Sequence, residues 1–201
     1  MWEYRVSWTD RPPSWWNVAW RNGARGDERL AAEERVDTYL IVDGRPDLGI
    51  KRRARTSLEI KVRYEQSDGW ELWEKVIFES WTPLEAVRGA ALLQTRPTFA
   101  AEATDPVAGV QQLLAAAGLT WRDEAVHKTR LQADARRLLK NLTALSIDRN
   151  CLAELVQFRV GQRPDPVWSL CFEWATPLLI THHDTDIATG IVGGYPELLA
   201  R

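Results

Sequence analysis

The chain of 201 residues carries 26 Lys and Arg against 28 Asp and Glu, a formal charge of −2, which predicts no global attraction to nucleic acid or to an anionic membrane. Any basic site must therefore be a local concentration of charge. No apolar run approaches the ~20 residues of a membrane span, and the opening Met-Trp-Glu-Tyr-Arg has no apolar stretch of the signal-peptide kind.

The size suits one domain over 1–201 with a substantial core. Residues 2–8 alternate as a strand, with Trp2, Tyr4, Val6 and Trp8 opposite Glu3, Arg5 and Ser7. Asp10-Arg-Pro-Pro ends it. Trp15, Trp16 and Trp20 follow, before the Gly23–Asp27 loop. Core packing is the simpler reading of this cluster, and a lid or a protein-partner patch is the alternative. Residues 28–34 read as one or two helical turns, ahead of a strand at 36–42. Asp43-Gly44 marks a turn, and 49–53 with 58–65 form the next strand pair. Ser67-Asp-Gly69 introduces a strand over 72–79.

Thr82-Pro83-Leu84-Glu85 is a capping box with proline at the first helical position, so a helix runs to Gln94. Asp105-Pro106 starts a second helix that Gly118 ends, giving a helical insertion over 82–118. Strands resume at 125–132, 143–148, 152–160 and 167–174. About eight strands with two helices inserted midway permit a closed barrel. Only Cys151 and Cys171 are present, at no metal-ligand spacing, which argues against a disulfide framework or structural zinc and for a reducing, cytoplasmic setting.

The direction of the charges is the main functional signal. Leu58, Ile60, Val62 and Tyr64 point one way, and Glu59, Lys61, Arg63 and Glu65 the other. Lys51 and Arg53 share a face on the preceding strand, and Lys128 and Arg130 repeat the spacing. A single half-buried strand would turn such a row to water. Recurrence on several strands, with carboxylates placed singly at Glu3, Glu59 and Glu173, favours an inside-out barrel whose charged faces line the interior. Clustered like charges are costly unless paired, and a polyanion resolves the conflict. Arg presents a planar fork to phosphate oxygens, Lys adds a point charge, and one or two carboxylates suit Mg²⁺ or Mn²⁺. By parity Glu154 goes outside with Val156 and Phe158, leaving Gln157 and Arg159 to face in. Asp37 is a further residue within reach of a tunnel mouth. His182-His183-Asp184 with Asp186 has metal-ligand residue types, but adjacent strand residues point apart and a polar loop is the better reading. His127 reads as an outward or packed histidine.

The stretches Ile50-Lys51-Arg52-Arg53, Leu58-Glu59-Ile60-Lys61, His127-Lys128-Thr129-Arg130 and Tyr195-Pro196-Glu197-Leu198-Leu199 resemble the CYTH superfamily. These are the triphosphate tunnel metalloenzymes, which include class IV adenylyl cyclases, thiamine triphosphatases and inorganic triphosphatases. The resemblance implies an α+β fold: an eight-stranded antiparallel β-barrel, or tunnel, with helices packed outside. It also implies a triphosphate or polyphosphate-containing small molecule held by inward Lys and Arg with Mg²⁺ or Mn²⁺. By position, Lys51, Arg53, Lys61 and Arg130 would be phosphate ligands, with Arg63 and Lys128 assisting; Arg159, from its parity, and Arg5, from its place among the charged residues of the first strand, join the substrate-binding set. Glu59 and Lys61 would be catalytic, and Glu3, Glu59 and Glu173 would face the metal. The chain departs from the family at its first strand, where Arg5 and Ser7 stand in place of the second glutamate and the lysine of Glu-x-Glu-x-Lys. A metal-dependent triphosphatase is the expected function. A tunnel that binds without turnover, as a sensor or partner module, is the alternative, followed by an interaction protein that uses the tryptophan cluster.

Overall fold

The computed structural model describes residues 1–24, 32–53, 57–96, 103, 105–140, 145–147, 150–178, 180–182 and 189–199. In chain order the elements are β1 (Trp2–Trp8), α1 (Trp16–Ala24), β2 (Glu33–Val42), β3 (Leu48–Arg53), β4 (Ser57–Ser67), β5 (Trp70–Phe78), α2 (Pro83–Leu93), α3 (Pro106–Ala116), β6 (Trp121–Asp134), α4 (Ala135–Leu138), β7 (Leu145–Ile147), β8 (Leu152–Val160), β9 (Val167–Trp174), β10 (Ile180–His182), β11 (Ile191–Val192) and α5 (Tyr195–Leu199). The main sheet runs β1-β5-β4-β3-β2-β6-β8-β9, and β1 also pairs with β9. Pairing thus closes on itself, and the fold is α+β with a closed eight-stranded antiparallel β-barrel. This is the architecture that the CYTH resemblance implies. Strand β11 adds to β1, while β7 and β10 form a separate two-stranded sheet, so the expected strand at 143–148 exists in part but lies outside the ring. Among the described residues no helix is long and apolar enough to cross a membrane.

The chain forms two compact units, one of residues 1–35, 65–72 and 127–194 and one of residues 36–64, 73–126 and 195–201. In the first, Tyr4, Val6 and Trp8 join Leu131, Leu155, Leu170 and Phe172 in a core that also contains Trp16 and Ala19 of α1 and Ala135 and Leu138 of α4. Trp15 meets Trp8 edge-on at 5.7 Å, and Trp20 stacks on Trp16 at 6.0 Å. Trp15 and Trp16 are both buried. The tryptophan cluster is therefore core, which corrects its alternative reading as a lid or partner patch. Residues 25–31 lie outside the described part. Glu33 and Glu34, expected at the end of a helical turn, instead begin β2. Sheet pairing and the Arg130–Glu33 ion pair override their helix preference there.

In the second unit, Leu48 and Ile50 of β3, Leu58, Ile60 and Val62 of β4 and Phe78 of β5 pack with Ala90 and Leu93 of α2 and Val110, Leu113 and Leu114 of α3. Both helices are capped as the sequence predicts. The Thr82 hydroxyl accepts from the Glu85 N–H at 3.3 Å, and Asp105 Oδ1 accepts from the Val107 and Ala108 N–H groups at 2.9 and 3.0 Å. Trp81 lies directly over Gly109 of α3, in space that a side chain would need. In each unit the apolar strand face is covered by helices. The charged residues occupy the other face.

Candidate functional site

Register gathers the charged side chains, because cross-strand partners share a face. In the second unit, Tyr39 is opposite Lys51 and Asp37 opposite Arg53, while Lys51 is opposite Glu59 and Gly49 opposite Lys61. Glu59 is the hub of this group. It is only 1% exposed, with Oε1 2.7 Å from Lys51 Nζ and Oε2 2.8 Å from Arg53 Nη2. Burial opposes its charge, but Lys51, Arg53 and Lys61 overcome this and hold the carboxyl below its usual range. Burial lowers the Lys51 ammonium, against the pull of Glu59 and with the help of its cationic neighbours Lys61 and Arg53. Arg63 lies over the Trp73 ring at 5.8 Å, with Glu197 Oε2 3.8 Å from its Nη1.

Helix α5 sits against these same strands. Tyr195 meets Tyr39 edge-on at 6.0 Å, and the Leu199 carbonyl accepts from Arg122 Nη2 at 2.8 Å. A methyl group at Gly49 would lie 3.3 Å from Pro196 Cγ and 3.5 Å from Lys61 Cβ.

The first unit has its own glutamate hub. Glu3 is opposite Glu173, Arg5 and Glu154 are each opposite Cys171, and Ser7 is opposite Ser169. Arg5, 6% exposed, donates through Nη1 to Ser169 Oγ at 3.0 Å and through Nη2 to Glu154 Oε1 at 3.2 Å. Arg130 Nη1 and Gln132 Nε2 both donate to Glu154 Oε2 at 3.2 Å. Arg130 also donates through Nε to Glu33 Oε2 at 2.9 Å. Burial pushes the Glu154 carboxyl up, but Arg5, Lys128 and Arg130 together hold it at about 2.

The structure thus overturns the expected parity of β8. Glu154 belongs to the charged face, and Gln157 pairs with Trp168 on the side of Leu155 and Leu170. Arg159 is exposed and shares that outer parity, so it does not join the charged face. Both sides of β8 carry buried apolar residues, and alternation alone therefore could not orient it.

An acidic group lies on the same strands. Donor atoms of Glu3, Cys171 and Glu173 all fall within 4.8 Å of one another, and Glu71, 2% exposed, is opposite Glu3 in β5. Carboxylates in this number suit a hard divalent cation such as Mg²⁺ or Mn²⁺. Burial raises the Cys171 thiol well above its usual range; Arg5 opposes this and Glu3 and Glu173 reinforce it. A thiol is in addition a soft ligand, poorly matched to a hard cation. Of the expected metal residues, Glu3 and Glu173 come together here, whereas Glu59 is held by two cations in the other unit. Sequence reasoning missed Glu71, because only its pairing with Glu3 marks it.

Among the remaining candidates, Asp37 is buried opposite Arg53, Lys128 is 4% exposed on β6, and His127 is exposed. His183, Asp184 and Asp186 lie outside the described residues.

No family model matches the sequence, and no curated protein matches it. Several solved structures are similar at a distance. A conserved hypothetical protein from Pyrococcus furiosus is 10% identical, covering 87% of this chain and 81% of its own, with a TM-score of 0.42. The Schizosaccharomyces pombe Mediator head module is 8% identical, covering 94% of this chain and 88% of the matched one, with a TM-score of 0.41. A putative adenylyl cyclase from Hippeastrum, described as having a dominant triphosphatase activity, is 11% identical over 88% of this chain and 81% of its own, with a TM-score of 0.38. Likeness at this level does not transfer an activity.

Proposed function

We propose that this protein binds a triphosphate-containing small molecule through the cations of its charged strand faces and hydrolyses it with the help of a divalent metal. The observation that carries the reading is the row Lys51, Arg53, Lys61 and Arg63 on paired strands, with the Glu59 carboxylate between Lys51 and Arg53. Held at fixed spacing, guanidinium forks and ammonium groups match successive phosphate oxygens. The resemblance to the CYTH superfamily points the same way.

Within the first unit, Glu3, Glu71 and Glu173 would hold Mg²⁺ or Mn²⁺, an ion that supplies charge neutralisation to phosphoryl groups. The chain's own contribution is positioning. Lys61 and Arg63 orient the phosphate chain, Glu59 keeps Lys51 and Arg53 extended toward it, and the partly buried setting strengthens each contact. Chemistry of this type needs no nucleophilic Ser or Cys.

A second reading, binding without turnover, is favoured by Arg5. It stands where the family carries a second metal-facing glutamate, and it is tied to Glu154 and Ser169.

Purified protein is incubated with tripolyphosphate or ATP and Mg²⁺ or Mn²⁺, and phosphate release is compared with a Lys61→Ala variant. Release by the wild type is expected to fall at least tenfold in the variant. Loss of a charge-assisted contact worth about 1.5–3 kcal/mol should weaken tripolyphosphate binding roughly 10- to 150-fold in calorimetry. Absence of release above the variant would defeat the hydrolase, and tight metal-free binding with no release would favour the sensor.

A further inference from the structure

The cations of the first unit are already matched by carboxylates belonging to the chain. Glu154 is held at once by Arg5, Arg130 and Gln132, with Lys128 adding its charge, and Glu33 takes a second share of Arg130 and part of Arg35. The geometry resembles a bound oxyanion. One oxygen of Glu154 meets the Arg5 guanidinium, and the other meets the Arg130 guanidinium and the Gln132 amide. A phosphate oxygen would ask for the same donors. All these groups are on β1, β2, β6 and β8 and belong to one unit.

We infer that Glu154 is an internal counter-anion that competes with ligand oxygens for Arg5 and Arg130, and so determines which anions the protein accepts. The inference rests on the anion-binding reading above. A ligand must release these guanidinium groups from Glu154 before using them, and it must then tolerate a displaced, poorly solvated carboxylate. A singly or doubly charged anion gains too little from two guanidinium groups to do this. A polyphosphate, which meets several cations at once, has more to gain. Glu154 would thus act as a specificity-determining residue that selects for high ligand charge. It need not touch the reacting atoms.

The test measures binding of tripolyphosphate and of orthophosphate by titration calorimetry for wild type, Glu154→Gln and Glu33→Gln. Glutamine keeps the shape of Glu154 and removes its charge. Glu154→Gln is expected to bind tripolyphosphate at least 10-fold tighter and orthophosphate tighter by a larger factor, narrowing the selectivity between them. Adding Arg130→Gln to that variant should cancel the gain, which a general loosening of the structure would not produce. Glu33 is exposed, so Glu33→Gln should keep the fold and tighten binding about threefold even if Glu154→Gln fails to fold.

Wild-type binding without tightening in either variant would overturn the counter-anion while leaving the anion-binding reading intact. Tightening that survives removal of Arg130 would overturn it as well. No tripolyphosphate binding by any of the proteins would overturn both.

Discussion

Replacing Glu59 by Gln removes one charge from the centre of the second unit's ionic cluster and changes almost nothing in shape. The carboxylate touches Lys51 Nζ at 2.7 Å and Arg53 Nη2 at 2.8 Å, and its two partners differ in shelter, the Lys51 side chain being 12% exposed and that of Arg53 35%. Breaking a buried pair from one side costs about 3–5 kcal/mol, because the partner charge is left without compensation. Only Lys51 is well enough sheltered to feel the full effect, which sets the expected loss near the lower limit, at about 3 kcal/mol. For a chain of this size each 1 kcal/mol moves Tm by about 2–4 °C, so Glu59→Gln should melt roughly 6–12 °C below the wild type.

Tripolyphosphate should then restore more stability to the variant than to the wild type, since its oxygens can take the place of the missing carboxylate. At a concentration of about 100 Kd a ligand contributes about 2.7 kcal/mol, nearly the whole deficit. Differential scanning calorimetry with and without tripolyphosphate checks both numbers. A Tm within about 2 °C of the wild type, or equal ligand shifts in the two proteins, would refute the claim that Glu59 holds the cation row in place.

Two further outcomes follow from the packing and the charges. At Gly109 a methyl group would meet Trp81 ring atoms at 2.0–2.4 Å, so Gly109→Ala should cost at least about 1–3 kcal/mol in urea unfolding, whereas Ala is ordinarily the better helix former. The Glu154 carboxyl is held at about 2 against an ordinary 4.5. Its contribution is therefore complete above pH 4.5, is lost as pH falls toward 2, and amounts to roughly 3 kcal/mol. The stability gap between wild type and Glu154→Gln should close over that window, and a gap unchanged at pH 2.5 would contradict it.

The sequence displayed some of this structure more plainly than the rest. Over residues 58–65 of β4 every second residue is apolar and the intervening ones are charged, so both faces are assigned before any partner strand is known. In β1 the apolar residues alternate likewise with Glu3, Arg5 and Ser7. The caps of α2 and α3 were legible because Thr82 and Asp105 are local signals. Strand β8 was opaque, since Leu155 and Val156 are both buried and only its register with β9 assigns Glu154 to the charged face. Helix α1 was missed, although Trp16, Ala19, Trp20 and Gly23 follow the helical spacing i, i+3, i+4, i+7. Its tryptophans fit a contact patch as well as a helix face, which obscures the periodicity. Glu71 could be found only through Glu3, its partner 68 positions earlier in the chain. Such pairings are made by the closed sheet, and no window of sequence contains them.

Gly49 lies directly beneath α5. The absence of a side chain there lets Pro196 settle within van der Waals reach of the strand, beside the root of Lys61. One added carbon would press on Pro196 and ask α5 to give by a few tenths of an ångström, while leaving every charge in place. The packing beside Lys61 can therefore be adjusted at an uncharged position, by steric contact alone.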